Sequence, residues 1–314
     1  MADDLMHTAM TKRDLVARST AERLEVEVLG LRLTNPVLVA SGPMSDSDAQ
    51  IRRLLGAGAG AVVTKTLYSG KQPMLQERMI RHPCGALNST TYSRRSLDRW
   101  LRWLSALAAD GLPVVASIHA DTPEALAMLA QAVSEAGCRA LELGICCPND
   151  GSQEQATASR IASYTASVRR AVSLPIAVKL TAMEGLLEGA RAALNAGANA
   201  ISLSDALPAL AMDIETGHPM LCEPIGYSGP GIKPLVLYAI RCLRRAGVNC
   251  PILGIGGICT ATDVVEYLQA GATVAQIYTA LVYQGRGLLG SIIKELDLFC
   301  ERHHTTVRQL TGKS

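Results

Sequence analysis

Two adjacent thiols stand directly after a short apolar run of this sequence. Residues 141–145 (LELGI) are typical of a buried strand, and Cys146-Cys147-Pro148-Asn149 follows at once. Proline cannot donate to a strand ladder, so the strand must end before it. A thiol of ordinary pKa, about 8.5, suits acid–base chemistry near neutral pH if its surroundings lower that pKa. The alternative is that both cysteines are small core residues beside a turn.

Two lysines close other apolar runs. Lys65 ends the run Ala-Val-Val-Thr-Lys, and Lys179 ends Ile-Ala-Val-Lys. A buried charge is costly unless it is paired, so each lysine is expected to point into the mouth of a site, where it can stabilise an anion. The alternative for each is a structural salt bridge.

Glycines gather near the C-terminal part of the chain. Gly254-Ile255-Gly256-Gly257-Ile258 follows one apolar run, and Thr279 follows the next. A second glycine-rich stretch, residues 226–234 (GYSGPGIKP), precedes a helical pattern. Turns of this kind expose backbone N–H groups that bind phosphate. The alternative for the first stretch is tight packing of a strand–helix turn.

A repeating pattern of strands and helices must position these residues. Apolar runs that are each followed by a helical pattern predict strands at 36–40, 61–66, 113–119, 140–145, 175–180, 200–204, 251–255 and 274–278. Eight such repeats predict an α/β fold of the (β/α)8 TIM-barrel type. A doubly wound sheet is the runner-up, but the chain has no early GxGxxG motif. In a barrel, every residue singled out above lies at the C-terminal face.

Helices are predicted at 46–57, 96–109, 122–136, up to 172, up to 196, from about 233, 261–270 and 287–302. Thr122-Pro123 matches the N-cap and first position of a helix, and Ser45 is placed near the N-cap of the first. Gly58, Gly197 and Gly271 recur in the same helix-to-strand turn and predict left-handed helix ends.

The remaining segments frame the barrel. Residues 1–23 are expected to form a tail or a short leading helix, and residues 24–314 a single domain. Residues 24–36 alternate apolar and polar side chains about Gly30, which predicts a β-hairpin that covers one end of the domain. Long loops, residues 67–95 and 205–232, follow strands two and six at the face where functional loops belong.

Composition excludes several classes of protein. The 314 residues are 48% hydrophobic and 18% charged, and 30 basic against 28 acidic residues give a net charge of +2, which offers no field for nucleic acid or a membrane surface. No apolar run reaches the roughly 18–20 residues of a membrane span, and residues 1–23 lack an apolar signal core. The nine cysteines show no metal-binding spacing, so no metal site and a reducing cytoplasmic location are expected.

Eight short motifs together resemble the class 1 dihydroorotate dehydrogenases in order and spacing. They are Asn35-Pro36, residues 40–42 (ASG), 63–65 (VTK), 87–89 (LNS), 147–149 (CPN), 178–180 (VKL), 226–234 (GYSGPGIKP) and 254–258 (GIGGI). The resemblance covers about residues 24–300. It implies an FMN-containing barrel of pyrimidine biosynthesis, often a homodimer, that passes hydride between a small dihydropyrimidine and the flavin N5, with a separate electron acceptor.

The resemblance also implies roles for particular residues. Cys147 matches the base that removes the substrate's C5 proton, while Cys146 should point the other way. Lys65 and Lys179 would contact flavin and substrate, where a cation stabilises reduced, anionic flavin. Ala40, Ser41 and Gly42 would line the flavin ring. The ribityl phosphate would be held by Ser228, Gly229, Gly256, Gly257 and Thr279.

The residues that should grip the substrate depart from the family. Asn88 and Asn149 match two of the family's four asparagines, and Arg78 keeps the spacing of its loop arginine. Gly144 and the Ser204-Asp205 pair stand where the other two belong, and the loop after Ser89 reads Thr90-Thr91-Tyr92. Each buried amide left without a partner costs about 1–3 kcal/mol, and Asp205 would repel a substrate carboxylate. His119, where the family has a small residue, either enters the site or is a hydrogen-bonded rim histidine.

We therefore expect an FMN oxidoreductase with Cys147 as acid/base, acting on a CH–CH or C=C bond beside a carbonyl in a dihydropyrimidine-like ring that need not be dihydroorotate. A genuine dihydroorotate dehydrogenase with fumarate or a similar acceptor is the main alternative. A tRNA dihydrouridine synthase would need a basic surface, and a non-catalytic flavin protein would not need Cys147 with both lysines. Dihydropyrimidine dehydrogenase is a near neighbour, but this chain has no iron–sulfur cysteine run.

Overall fold

The computed structural model describes residues 22–70, 78–145 and 157–311. Its strands are β1 (Val26–Val28), β2 (Leu31–Leu33), β3 (Val37–Val39), β4 (Ala61–Val63), β5 (Leu67–Tyr68), β6 (Met79–His82), β7 (Gly85–Asn88), β8 (Val114–His119), β9 (Leu141–Leu143), β10 (Ile176–Leu180), β11 (Ala200–Leu203), β12 (Leu207–Pro208), β13 (Gly226–Ser228), β14 (Ile252–Ile255) and β15 (Val274–Ile277). Its helices are α1 (Asp48–Gly56), α2 (Leu97–Ala109), α3 (Pro123–Glu135), α4 (Ala158–Ala171), α5 (Leu186–Asn195), α6 (Lys233–Arg245), α7 (Ala261–Ala270), α8 (Thr279–Gln284), α9 (Leu288–Arg302) and α10 (Val307–Thr311).

Eight parallel strands close into a barrel, which confirms the predicted fold class. They pair in the order β3, β4, β8, β9, β10, β11, β14 and β15, and β15 pairs with β3 to complete the ring. Most of their residues are buried on both faces, because the barrel interior lies on one side and the helices on the other. This is why each strand appears in the sequence as a continuous apolar run rather than an alternating one.

The helix signals are confirmed with one exception. The Thr122 side chain accepts a hydrogen bond from the Ala125 backbone N–H and caps α3. Gly58, Gly197 and Gly271 adopt φ values of 108°, 103° and 113°. The N-cap of α1, however, is Ser47 and not Ser45. Ser45 lies in a 3-10 turn, where its hydroxyl donates to the Gly42 carbonyl oxygen.

The predicted hairpin is formed by β1 and β2, with Val26 opposite Leu33. Its alternate side chains are buried in the main core. The turn at Gly30 lies near Pro175, just before β10 begins, because a Cβ at Gly30 would be 3.6 Å from the Pro175 Cγ. The hairpin therefore covers the N-terminal end of the barrel, away from the face at which functional residues are expected.

The two long loops form a small antiparallel sheet that the sequence did not predict. Its strand order is β12, β13, β7 and β6, with Gly226 opposite Asn88 and Tyr227 opposite Leu87. A separate apolar cluster of Leu87, Leu221 and Ile225 supports it. The sheet joins the loops after barrel strands two and six across the C-terminal face. Within the described ranges, no helix has the length and apolar character that crossing a membrane requires.

Candidate active site

A cleft opens at the C-terminal ends of the barrel strands, with about 1070 Å³ of empty space when its opening to solvent is included. The barrel strands end in its floor, and β6, β7 and β13 border it. Most residues that the sequence singled out line it together: Ala40, Ser41, Gly42, Lys65, Asn88, Lys179, Ser204, Asp205, Ser228, Gly229, Gly256, Gly257 and Thr279.

Three further predicted residues differ in their placement. Arg78 is exposed, and it is not among the described residues that line the cleft, although its neighbour Met79 is. The Arg78 backbone pairs with Ser89, so the arginine lies at the border of the small sheet. Cys147 and Asn149 lie outside the described residues, as does Cys146.

The two lysines occupy different surroundings. Lys65 is only 4% exposed, and its backbone N–H donates to the Ser45 carbonyl oxygen. The ammonium of Lys179 lies 3.1 Å from a carboxylate oxygen of Asp205. Lys179 therefore fits both interpretations of the sequence, since it lines the cleft and forms a salt bridge there.

A chain of hydroxyl groups crosses the floor of the cleft, and sequence reasoning missed two of its members. Thr66 Oγ1 lies 3.1 Å from Ser41 Oγ and 2.9 Å from Ser117 Oγ. The Ser117 backbone N–H donates to Thr64 Oγ1, which ties two neighbouring strands together. A serine inside the apolar run of β8 was the signal, because a polar residue in a doubly buried strand needs a partner in the barrel.

A second polar group missed by the sequence lies in the barrel interior. The fully buried Glu142 accepts a hydrogen bond of 2.6 Å from Ser202 Oγ, and Gln276 Nε2 lies 3.4 Å from the same carboxylate oxygen. Glu142 Oε1 and Gln276 Oε1 find no partner among the described residues. Because Gln276 also lines the cleft, this group joins the cleft floor to the barrel core.

The glycines after barrel strands six and seven bring backbone against backbone. A Cβ at Gly257 would lie 2.8 Å from the Gly229 carbonyl oxygen, and one at Gly229 would lie 2.7 Å from the Gly85 Cα. Beside them, Ser228 Oγ and Thr279 Oγ1 are 2.9 Å apart. Tight packing therefore accounts for these glycines by itself, and their phosphate role stays a prediction.

An ion-pair network fixes the helix that follows this cradle of glycines and hydroxyls. Lys233 donates to Asp263 and Glu266, each at 2.6 Å. Burial alone would lower the pKa of Lys233, but these two hydrogen bonds outweigh it and raise that pKa. The pKa of Asp263 is lowered, because bonds from Lys233 and from the Cys259 and Thr260 backbone outweigh its burial.

Tyr278 is a further cleft residue that the sequence did not indicate. Its hydroxyl accepts a hydrogen bond from the Met44 backbone N–H, and burial raises its pKa. A Cβ at Gly42 would come within 2.3 Å of the Tyr278 ring. The turn of residues 40–42 is therefore moulded against this phenol, and only glycine fits at its end.

Aromatic and polar side chains lie close together where β7 and β8 end. Tyr92 lines the cleft and stacks on His119, with ring centroids 4.6 Å apart. His119 Nδ1 lies 2.6 Å from the Gly144 carbonyl oxygen, which can only accept, so Nδ1 carries the proton. His119 is buried and is not among the described residues that line the cleft, so its position agrees with the hydrogen-bonded alternative, although not at a rim. Asn88 Nδ2 donates to the Gly226 carbonyl oxygen, and Thr90 Oγ1 donates to Asn88 Oδ1.

Comparison with known proteins agrees with this architecture. The family model described as "Dihydroorotate dehydrogenase" matches residues 23–299. The catalytic subunit of dihydroorotate dehydrogenase B (NAD(+)) from Methanocella arvoryzae is 32% identical over 289 residues, 90% of this chain and 95% of that one. The proteins of the same name from Thermococcus kodakarensis and Pyrococcus abyssi are each 32% identical, over 93% and 92% of this chain and 98% of each relative.

Proposed function

This chain belongs to the dihydroorotate dehydrogenase family, and we propose from that premise that it is an FMN-dependent oxidoreductase acting on a CH–CH bond. The substrate we propose is a small, dihydropyrimidine-like ring in which that bond stands beside a carbonyl. The observation that carries the proposal is the cleft at the C-terminal ends of the strands. It gathers Lys65 and Lys179 on the same floor as the cradle of glycines and hydroxyls.

The described residues fit FMN in three respects. The closely packed backbone at Gly229 and Gly257 and the hydroxyls of Ser228 and Thr279 suit a phosphate. The turn at residues 40–42 lines the cleft with small side chains only, which suits a ring placed beside it. Two lysine ammonium groups in the same cleft suit a cofactor whose reduced form is an anion.

In the proposed reaction, the cofactor and the side chains of this protein have different tasks. Bound FMN would supply an N5 that exchanges hydride with the substrate. We assign the accompanying proton to Cys147, which would hold or release it at the neighbouring carbon of the substrate. Lys65, being buried in the cleft, would orient the substrate through its ammonium group, and the small sheet above would exclude water.

A true dihydroorotate dehydrogenase of pyrimidine biosynthesis is the second candidate, and the names of the relatives favour it. Those names give NAD(+) as the acceptor and a catalytic subunit as the homologous part, so a partner that passes electrons to NAD⁺ is one proposed route. Fumarate or another small oxidant is the other. We further propose a homodimer in the cytoplasm, which sedimentation of the purified protein and fractionation of cells would check.

The test begins with the absorption spectrum and the released cofactor of the purified protein, for which we expect FMN. Anaerobic reduction by dihydroorotate is then compared with reduction by a panel of uncharged dihydropyrimidines. Efficient anaerobic reduction by dihydroorotate, or its turnover with fumarate, would select the second candidate. A protein that takes up no flavin would contradict both.

A further inference from the structure

Three charged side chains line the described part of the cleft, namely Lys65, Lys179 and Asp205. The side chains of Lys179 and Asp205 are 14% and 20% exposed, and their charged groups lie 3.1 Å apart. Each therefore stands in partly desolvated surroundings, where charges interact more strongly than in water. A ligand that enters this corner meets an ammonium group and a carboxylate side by side.

The Asp205 carboxylate is held in this position by the backbone. Its own N–H donates to the Leu180 carbonyl oxygen at 3.0 Å, and its Oδ1 accepts from the Ala206 N–H at 2.8 Å. Ser204 Oγ donates to the Asp205 carbonyl oxygen and accepts from the Ala182 N–H. These bonds fix the backbone at the end of β11, and the carboxylate could turn away from a negatively charged ligand only by losing its bond from the Ala206 N–H and its pairing with Lys179.

Gly144 is a second feature of the cleft that bears on which ligand can bind. It lines the cleft, and a Cβ there would meet only Thr66 Cγ2 at 3.9 Å and the Ile118 carbonyl oxygen at 4.0 Å. A Cβ would therefore make only ordinary contacts with these atoms. Because Gly144 has no side chain, an anionic group finds no side-chain donor at that position.

We propose that the substrate of this cleft is an uncharged cyclic amide or imide without a carboxylate, and that Asp205 and Gly144 are its specificity-determining residues. This inference rests on the proposed function, since it takes the cleft as the substrate site. The N–H of a cyclic amide can donate to Asp205 and its carbonyl can accept from Lys179, whereas a carboxylate would meet a like charge. Because Gly144 has no side chain, it supplies no hydrogen-bond donor that could compensate for this repulsion.

The test measures ligand binding to the FMN-loaded protein by isothermal titration calorimetry. Uracil and orotate share one ring and differ by one carboxylate. The wild type should bind uracil at least about tenfold more tightly than orotate. Asp205→Asn should tighten orotate binding at least about tenfold and should not tighten uracil binding, because it removes the charged acceptor of the ring N–H. Gly144→Asn, which adds an amide without altering the ion pair, should tighten orotate binding in the same direction.

Glu215→Gln is the matched control, because Glu215 is an exposed acid in the same loop and outside the cleft. It should leave both affinities unchanged. Orotate binding as tightly as uracil to the wild type would overturn the inference, and so would failure of both rings to bind the flavin-loaded protein. Equal gains for both ligands in Asp205→Asn would also overturn it. A preparation that holds no FMN would instead count against the proposed function.

Discussion

The cleft has two halves that are built in different ways. The half that we propose binds flavin, here called the flavin half, comprises residues 40–42, Ser228-Gly229, Gly256-Gly257 and Thr279. The half that we propose binds the substrate, here called the substrate half, comprises residues 88–92, Gly144 and Ser204-Asp205. In the flavin half, a Cβ at Gly229 or Gly257 would meet backbone atoms, and one at Gly42 or Gly256 would meet side chains, so neither kind of position has room for it. In the substrate half, side chains such as Asn88, Tyr92 and Asp205 line the space, and Gly144 leaves it open.

This difference explains why the substrate half, which keeps Asn88, departs from the family resemblance at Gly144 and Ser204-Asp205 while the flavin half keeps its motifs. A close backbone contact cannot accept another residue without moving two strands, so the flavin half tolerates little change. A side chain that lines open space can be exchanged while the barrel stays as it is. The substrate half can therefore be rewritten without cost to the fold, and specificity can change while the cofactor site is retained.

The largest effect is expected from Cys147→Ser, which should lower turnover while leaving flavin binding unchanged. If Cys147 carries the substrate proton, turnover should fall by about 10²–10⁴-fold, because a serine hydroxyl is a far weaker acid than a thiol and loses its proton much less readily near neutral pH. Bound FMN and thermal stability should be unchanged, since the flavin half is untouched. Steady-state assays and the flavin absorbance of each preparation measure both quantities.

Cys146→Ser is the control for that substitution, as it changes the adjacent thiol. We expect it to retain most of the turnover. Equal losses in both variants would show that the loop is sensitive to any change there and would remove the case for Cys147 as the acid/base.

Gly257→Ala should break the flavin half instead. Gly257 has φ +71°, and an added Cβ would lie 2.8 Å from the Gly229 carbonyl oxygen. Left-handed strain and the clash together should cost about 2–4 kcal/mol of unfolding free energy. The protein should also purify with less FMN. Chemical denaturation and the ratio of flavin to protein absorbance provide the measurements.

Gly185→Ala is the control for Gly257→Ala, because it introduces backbone strain without a steric clash. Gly185 has φ +80°, but an added Cβ there would meet nothing within 4 Å. It should lose only about 1 kcal/mol and keep its FMN. If both variants lost stability and flavin equally, close backbone packing would not be what distinguishes the flavin half.

The sequence predicted the barrel well because its signals are local. Each strand is a continuous apolar run, and glycines such as Gly58 and Gly271 mark helix ends through their own φ angles. The small sheet was missed because β12 and β13 are only two and three residues long, and Gly226 pairs with Asn88 far away in the chain. The sequence places the N-cap near Ser45 rather than at Ser47, because a 3-10 turn at Pro43 delays the start of α1.

The sequence predicted where the residues of the site lie, but not which of their side chains contact one another. Strand ends locate residues such as Lys65 and Gly256, because a barrel brings all strand ends to one face. Contacts between side chains cannot be obtained this way. The pairing of Lys179 with Asp205 and the hydroxyl chain through Thr66 depend on rotamers and register, which the linear order of residues does not contain.

The smallest effect is expected from Lys233→Met, at the outer support of the flavin half. Lys233 joins α6 to α7 through Asp263 and Glu266, and its loss should cost about 1–2 kcal/mol at pH 7. The folded pKa of Asp263 is depressed, so its stabilising contribution is present above its unfolded pKa and is lost as pH falls through the lower, folded value. The stability difference from the wild type should therefore shrink below about pH 4. Lys294→Met, which removes an exposed lysine from α9, should show no such dependence. A difference that stays constant down to pH 3 would mean that the ion pair between Lys233 and Asp263 is not the source of the stabilisation.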